Sequence, residues 1–334
     1  MSAPIAAPTL AEYELVRTDA GVVDRSNRLR MTFTGENAAD ALTGLVTNDV
    51  LALQAGHGQY AAALTPKGKV IADVRVLYRV AGGFLVDAPA PSAAGFVAMV
   101  RKYVNPRFAR YSDVSASVAC VGVVGPHARQ VVSHALACSP AAFDLLPPYA
   151  NCDVLFGDET VMVVRAADYG VDGFDCFVAS ATALRLRDAL VASGAASAAP
   201  AALDVLRIEA GRPAWGTDMT DETLAHEAGL DTLDAISYTK GCYTGQEVVA
   251  RVHFRGHVNR VLRGLRLAAA IAADARVFDG DADVGDVRSR AISPRLGPIA
   301  LAMVRRDVAP GGQVIVRAVD GDMPATLVAL PFPA

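Results

Sequence analysis

The most informative stretch of the sequence is Lys240-Gly241-Cys242-Tyr243-Thr244-Gly245-Gln246-Glu247. Two glycines bracket a thiol, and glycine lets a backbone turn tightly and approach a ligand closely. The residues that follow, 246–254 (QEVVARVHF), predict the start of a helix or a strand. If a helix begins there, its dipole and Lys240 would lower the pKa of the Cys242 thiol. A structural turn with a small apolar cysteine is the alternative interpretation.

The octapeptide opens the most basic segment of the chain, residues 240–266. This segment has six Lys or Arg side chains against one Glu, a net charge of +5, whereas the whole chain carries −4. Such a segment can bind a polyanion, for example a polyglutamyl tail, a phosphate or RNA. A solvated charged face explains the same pattern equally well.

Composition excludes several classes of protein. The 334 residues predict two or three domains, and 52% hydrophobic with 20% charged residues exclude a disordered, collagen-like or coiled-coil protein. Five cysteines without a CxxC pair argue against a disulfide framework and against a preformed zinc or iron–sulfur site, so no metal is expected. Sparse cysteines are typical of a reducing compartment.

The sequence also predicts a cytoplasmic location without a membrane span. The first Lys or Arg is Arg17, so the basic region of a secretory signal is missing. The longest apolar runs, such as residues 267–273, are far shorter than the roughly 18 residues that a membrane span needs.

The rest of the chain predicts an α+β protein with a C-terminal β domain. Thr9 and Glu12 have the spacing of a capping box, which predicts a helix to about Arg17. Strands are expected at 29–34, 60–64, 70–80, 84–87 and 118–124, and residues 65–68 form a turn. From about Val258 the apolar runs become short, which predicts a small barrel or sandwich. Small residues at 193–202 predict a linker.

The octapeptide resembles the signature of the YgfZ family. These are folate-binding relatives of the glycine-cleavage T-protein, and they include mitochondrial assembly factors for iron–sulfur proteins. The resemblance extends in consistent order from about residue 20 to 317. Its other segments are 21–26 (GVVDRS), 47–50 (TNDV), 64–73 (LTPKGKVIAD), 172–175 (DGFD), 207–218 (RIEAGRPAWGTD), 227–230 (EAGL) and 285–302.

The resemblance implies a T-protein-like ring of three parts around a central folate channel. Two α+β modules of ferredoxin-like type would be followed by a small C-terminal β-barrel. The first module is expected to span 1–116 and to be completed by 203–256. The second is expected at 117–202, and the barrel at 257–334. The implied cofactor is tetrahydrofolate or a derivative.

The resemblance also implies roles for two carboxylates. In aminomethyltransferase relatives an aspartate at the end of the 64–73 hairpin orients and activates the pterin, and Asp73 occupies that position. An acid of the second module contacts the pterin ring, and Asp175 stands there, shortened from Glu. A carboxylate suits this task because a pterin presents an amino group and ring N–H donors side by side. Without the resemblance, Asp73 would be interpreted as a turn cap and Asp175 as a surface acid.

Four further residues are candidates for the same site. Arg207 either forms a structural ion pair or steers the glutamate of the folate, since a guanidinium fits a carboxylate. Trp215 and Tyr243 either stack on the pterin or fill the core. Cys242 is the reactive group that the octapeptide offers, so Cys242 and Asp73 are the catalytic candidates.

Departures from the family pattern favour an accessory protein over an enzyme. The aminomethyltransferases usually have a longer segment before the 21–26 region and a His after its Ser, where this chain has Asn27, and they lack Cys242. The favoured function is therefore a folate-binding factor that supports assembly or maintenance of iron–sulfur enzymes, including tRNA-modifying ones, with such client or assembly proteins as partners. One alternative is a tetrahydrofolate-dependent aminomethyltransferase, for which Asp73 argues. The other is an RNA- or protein-binding module that uses residues 240–266.

Overall fold

The computed structural model describes residues 5–144, 146–166, 168–272, 274–319 and 321–333. Its first element confirms the capping box. The backbone N–H of Thr9 donates to Glu12 Oε2 at 2.8 Å, and the Glu12 N–H donates to Thr9 Oγ1 at 3.3 Å. These two bonds satisfy donors that the helix start would otherwise leave unpaired, and helix α1 follows at Leu10–Thr18.

The first sheet has five antiparallel strands. The elements of this part of the chain are β1 (Gly21–Asp24), β2 (Leu29–Thr34), α2 (Ala38–Leu45), β3 (Gly58–Leu64), β4 (Val70–Tyr78), β5 (Phe84–Ala88), α3 (Ala93–Tyr103) and β6 (Arg110–Asp113). The strand order is β3-β4-β5-β2-β6. One face of the sheet, including Ala61 and Val74, packs with α2 and α3, and the opposite face, including Tyr60 and Leu77, faces the second module.

The second sheet has six strands. Its further elements are β7 (Val118–Val124), α4 (Ala128–Ala135), β8 (Asn151–Phe156), β9 (Glu159–Arg165), β10 (Gly173–Ala179), α5 (Ala183–Ala192) and β11 (Ala196–Ser197). The order β11-β1-β7-β10-β9-β8 places β1 in this sheet, antiparallel to β7. Residues 21–24, which the sequence assigned to the first module, therefore lie in the second sheet. The expected linker at 193–202 contains β11, which pairs with β1 in parallel.

A long connector joins the second sheet to the barrel and lies against the first sheet. It follows α6 (Pro200–Glu209) and ends at α7 (Gln246–Arg255), so residues 246–255 form a helix and not a strand. Two hydrogen bonds attach it to the first module: the Val70 N–H donates to Thr223 O at 2.9 Å, and Thr47 Oγ1 donates to Ala235 O at 2.6 Å.

The C-terminal part is a closed six-stranded barrel, as its short apolar runs predicted. Its strands are β12 (Arg260–Leu267), β13 (Arg276–Asp279), β14 (Ala282–Ser293), β15 (Gly297–Arg305), β16 (Gln313–Ala318) and β17 (Gly321–Val328). They close in the order β12-β15-β14-β13-β16-β17. Within the described ranges, no helix combines the length and apolar character needed to cross a bilayer.

Candidate functional site

A cavity of about 290 Å³ opens beside the first sheet, where strand β4 and the start of the connector meet. It brings together three residues predicted from the sequence, namely Asp73, Arg207 and Trp215. The other predicted residues, Asp175, Tyr243 and Cys242, are not among the residues that line it. The lining residues that the sequence analysis missed are Arg25, Arg28, Tyr60, Arg75, Asp168, Tyr169 and Arg212.

The β3–β4 hairpin positions Asp73 and Tyr60 on one face of the sheet. Ala62 pairs with Asp73 and Tyr60 pairs with Arg75, so Tyr60 and Asp73 are diagonal neighbours. The Tyr60 hydroxyl donates to Asp73 Oδ2 at 2.9 Å. A register shift between Ala63 and Leu64 separates this pair from the 65–68 turn, so counting back from the turn does not predict that Tyr60 meets Asp73.

The other oxygen of Asp73 has an unmet acceptor capacity. Asp73 is buried, and its Oδ1 has no hydrogen-bond partner among the described residues. Burial raises the pKa of this carboxyl, although Arg28 and the Tyr60 hydroxyl oppose the shift. Buried polar atoms are normally paired, so Oδ1 is ready to accept a hydrogen bond from a ligand with an N–H donor.

Asp175 contacts two of the lining arginines in a buried ionic cluster that joins the two sheets. It is fully buried, and its carboxylate accepts from Arg25 at 3.1 Å and from Arg75 at 2.5 Å. Arg75 also donates to Asp87 at 2.9 Å. Because two guanidinium groups already bind Asp175, its placement favours a structural role over the pterin contact that the resemblance implied.

The arginines of the same cluster lower the pKa of two neighbouring carboxyl groups, Asp87 and Asp168. Burial disfavours the charged form of Asp87, but Arg28 and Arg75 outweigh it and lower the pKa of that carboxyl. Asp168 contacts Arg25 at 3.0 Å, and its pKa is lowered in the same way against burial. The cavity floor is thus a lattice of ionised arginines and aspartates.

A second hydrogen-bonded chain forms the wall nearest to Tyr60. The Tyr149 hydroxyl donates to Asp168 Oδ1 at 3.0 Å, and Arg212 donates to the Tyr149 hydroxyl at 3.1 Å. The Arg212 guanidinium lies 5.4 Å from the centre of the Tyr60 ring. This cation–π contact fixes the ring whose hydroxyl holds Asp73.

Arg207 lines the cavity, but its donors are directed elsewhere. Its guanidinium donates to Asp204 at 2.7 Å, to Asp218 at 2.8 Å, to the Arg212 carbonyl at 2.8 Å and to Ser289 at 2.9 Å. This favours the structural ion pair over the steering of a glutamate. Arg28 is the better-placed cation for that task, because among the described residues its only hydrogen bond runs from Nε to Asp87 at 2.6 Å.

Trp215 holds the connector against β4 at the edge of the cavity. Its Nε1 donates to the Val70 carbonyl at 3.2 Å, and the residue is half-buried. The indole therefore has a fixed orientation beside the cavity, which is compatible with stacking on a flat ligand.

Close packing explains one glycine of the octapeptide. Gly245 has φ +88°, and a Cβ there would come within 2.6 Å of the Thr65 carbonyl in the β3–β4 turn. In the same turn Gly68 has φ +75°, and a Cβ there would lie 2.8 Å from Val248 of α7. The start of α7 and the β3–β4 turn are thus packed so closely, and with such backbone angles, that both positions require glycine.

Lys240 and Tyr243 are buried beside helix α2. Lys240 Nζ donates to the carbonyls of Thr43 at 2.5 Å and of Val46 at 2.6 Å, where it binds the negative end of α2. Burial lowers the pKa of Lys240 to about 8. The Lys240 ammonium lies 4.6 Å from the centre of the Tyr243 ring, so Tyr243 is a core residue here.

Cys242 lies on the surface, and the ammonium predicted to activate it points into the core. Gly241, Cys242 and Glu247 are exposed, while the Thr244 N–H donates to the Gly44 carbonyl at 3.2 Å. Helix α7 begins at Gln246, four residues beyond the thiol.

The basic segment does not form one continuous charged surface. Arg251 and Arg255 are exposed on α7, whereas Lys240 is buried. Arg260 pairs with Glu227 at 3.3 Å, and Arg266 donates to the Pro333 carbonyl at 3.0 Å. This division weakens the case for RNA binding. In the described part of the chain, no three His, Cys, Asp or Glu side chains are arranged to hold a metal ion.

Comparison with known proteins links both halves of the chain to one group. The family model "GCVT N-terminal domain" matches residues 3–237, and "Glycine cleavage T-protein C-terminal barrel domain" matches residues 260–333. The aminomethyltransferase of Rubrobacter xylanophilus is 33% identical over 325 residues, which cover 96% of this chain and 85% of that protein. That of Paraburkholderia phymatum is 32% identical, covering 97% and 88%.

A solved structure confirms the expected fold. The glycine cleavage system aminomethyltransferase T from Bartonella henselae matches with a TM-score of 0.87 at 23% identity, covering 97% of this chain and 89% of that one. The fold is therefore T-protein-like. These matches support the T-protein side of the resemblance and do not distinguish its YgfZ branch.

Proposed function

This chain belongs to the glycine-cleavage T-protein family, and we propose that it binds tetrahydrofolate in the cavity lined by Asp73 and Trp215, the first cavity. There it transfers a one-carbon unit from an aminomethyl donor to the bound tetrahydrofolate. The observation that carries this proposal is the buried, unpaired Oδ1 of Asp73. A pterin offers adjacent N–H donors, so it can satisfy this atom. Tetrahydrofolate, when bound, supplies the nitrogen nucleophiles that accept the carbon.

The residues of the cavity fit such a ligand. Asp73 accepts the pterin N–H donors, and Tyr60 keeps its carboxylate in place. Trp215 offers a flat apolar wall. Arg28, with two Nη groups turned to no described partner, is the cation for the glutamate carboxylate.

Asp73 is also suited to proton transfer in this reaction. A general acid or base works best when its pKa approaches the working pH, and burial raises the pKa of Asp73 toward that range. The Tyr60 hydroxyl keeps one oxygen occupied, so Oδ1 is the atom that holds or accepts the proton.

The test is turnover by the purified chain. Tetrahydrofolate and an aminomethyl donor should give methylene-tetrahydrofolate with release of ammonia. Asp73→Asn should abolish turnover, whereas Cys242→Ser should retain it, since Cys242 lies outside the cavity. No turnover with any aminomethyl donor, although tetrahydrofolate binds, would refute the transferase and leave a folate-binding protein.

A second candidate function is support of iron–sulfur enzymes, including tRNA-modifying ones. It is favoured by Cys242, an exposed thiol within the octapeptide. One thiol cannot hold a cluster alone, since clusters usually need four protein ligands, so Cys242 would act with ligands of a partner.

Complementation separates the two candidates. In cells depleted of the native protein, Cys242→Ser should fail to restore iron–sulfur enzyme activity, whereas Asp73→Asn tests the need for folate. Cys138→Ser, a half-buried thiol outside the octapeptide, is the matched control and should restore activity. Full restoration by Cys242→Ser would exclude the role of the thiol.

A further inference from the structure

A second cavity, of about 360 Å³, lies between the connector, the end of α7 and the barrel. Its volume is within the range of small-molecule sites. Gly211 lines it, and the next residue, Arg212, lines the first cavity, so the two cavities approach each other at this point of the backbone. The proposed transfer reaction does not use the second cavity.

Two arginines that face this cavity have no ion-pair partner among the residues that the structure describes. Arg263 projects from strand β12, and its Nε is buried without a hydrogen-bond partner. Arg306 follows strand β15 and is exposed, and its side chain forms no ion pair with a described residue. Arg276, elsewhere on the barrel, differs in this respect, since it is held by Asp283 at 2.8 Å.

Three histidines add hydrogen-bonding groups around the arginines. His226 comes from the connector, His253 from α7 and His257 from the segment after α7. Tyr238 fixes two of them: its hydroxyl lies 3.0 Å from His226 Nε2, and its ring stacks on His253 at 3.6 Å between centres. Their ring nitrogens can donate to an anion without a net charge.

The acids in the same cavity do not cancel the arginines. Glu227 is already paired with Arg260 at 3.3 Å and also accepts the Leu224 N–H. Asp231 is the remaining carboxylate, so two guanidinium groups stand against one acid. With the histidines neutral the cavity still carries a net positive charge.

We infer that this second cavity is a binding site for a small multivalent oxyanion, held by Arg263 and Arg306 and oriented by His226, His253 and His257. Guanidinium groups bind phosphate and carboxylate oxygens in a bidentate manner. The basic segment, for which the sequence left a polyanion site and a solvated charged face as alternatives, contributes His253, His257 and Arg263. The inference is independent of the proposed transfer to folate.

The test is calorimetric titration of the full chain with inorganic pyrophosphate and, separately, with citrate. One anion should bind per chain. Tighter binding of pyrophosphate would identify a phosphate ligand, and tighter binding of citrate would identify a carboxylate ligand. Arg263→Gln and Arg306→Gln should each weaken binding about tenfold, the loss of one charged hydrogen-bonding group. Arg276→Gln removes the same charge elsewhere on the barrel and should leave binding unchanged.

Two outcomes would overturn the inference. One is the absence of saturable binding of either anion up to about 10 mM, where affinity is negligible. The other is equal binding by the wild type and the Arg263→Gln/Arg306→Gln double variant. Both arginines are at least partly exposed, so the variants should fold, and an unchanged tetrahydrofolate titration verifies this. That control also separates failure here from failure of the proposed function.

Discussion

Arg75 is the residue whose replacement tests the ionic cluster most sharply. Its guanidinium is 2% exposed and binds Asp175 at 2.5 Å, Asp87 at 2.9 Å and Asp168 at 3.4 Å. Arg75→Met keeps an unbranched side chain as far as the level of Nε but removes the guanidinium group, so it leaves buried carboxylates without one of their cations. Breaking a buried ion pair in this way costs about 3–5 kcal/mol. Urea unfolding followed by the fluorescence of Trp215, the single tryptophan, measures the loss.

Arg276→Met is the matched control. Arg276 also binds an aspartate, Asp283, but the two side chains are 50% and 43% exposed. Exposed pairs contribute about 0–1 kcal/mol, so the control should unfold close to the wild type. A loss below about 1 kcal/mol for Arg75→Met would refute the reasoning, because the buried lattice would then add nothing to the joining of the two sheets.

Three further predictions concern single positions. Gly245→Ala should destabilise by about 1–2 kcal/mol or more, because φ is +88° and its Cβ meets the Thr65 carbonyl. The control is Gly241→Ala, whose new Cβ would have no atom within 4 Å. Thermal unfolding of both variants should show that the control changes the free energy of unfolding by no more than about 0.5 kcal/mol. Equal losses of stability in the two variants would contradict the close packing at Gly245. After reductive dimethylation, the NMR titration of the Lys240 amine should have its midpoint near pH 8, because burial lowers the pKa of this group. A midpoint near the ordinary lysine pKa of about 10.4 would contradict the burial of the amine. Asp73→Asn should raise the melting temperature at pH 7. The raised pKa of Asp73 means that its charge costs stability above the unfolded pKa, so an unchanged or lower melting temperature would contradict that shift.

Local sequence patterns predicted those helices and strands that are determined by residues close together in the chain. The capping box gave α1, and the apolar runs at 29–34 and 118–124 correspond to β2 and β7. Strand β6 was missed because its side chains are mostly exposed, so it has no apolar pattern. Strand β1 was missed because only its pairing with β7 and β11 defines it.

The residues of the candidate site also fall into two groups, those that a sequence motif marks and those that only tertiary contacts bring together. Asp73 and Trp215 were found because the resemblance marks their motifs, and both line the cavity. The cluster of Arg25, Arg75 and Asp175 joins residues up to 150 positions apart, and no local pattern reports such a contact. The same cluster engages Asp175 with two arginines outside the cavity lining, while the pterin contact that the motif suggested stays a prediction.

The octapeptide combines two roles that the sequence could not separate. Gly245 and Lys240 serve packing, one against the β3–β4 turn and the other at the end of α2. Cys242 has no such structural task, because it is exposed at the surface. Its function therefore has to be tested in cells, whereas the role of Asp73 can be tested on the purified chain.

The most direct test of the central claim is a titration of the purified chain with tetrahydrofolate, followed by Trp215 fluorescence. Because Trp215 lines the cavity, binding should change its emission saturably at one ligand per chain. Asp73→Asn should weaken binding about tenfold or more, the loss of a charged hydrogen-bond acceptor. Asp153→Asn, an exposed aspartate on β8, should bind as the wild type does. A titration without saturation, or an Asp73→Asn variant with unchanged affinity, would contradict the account.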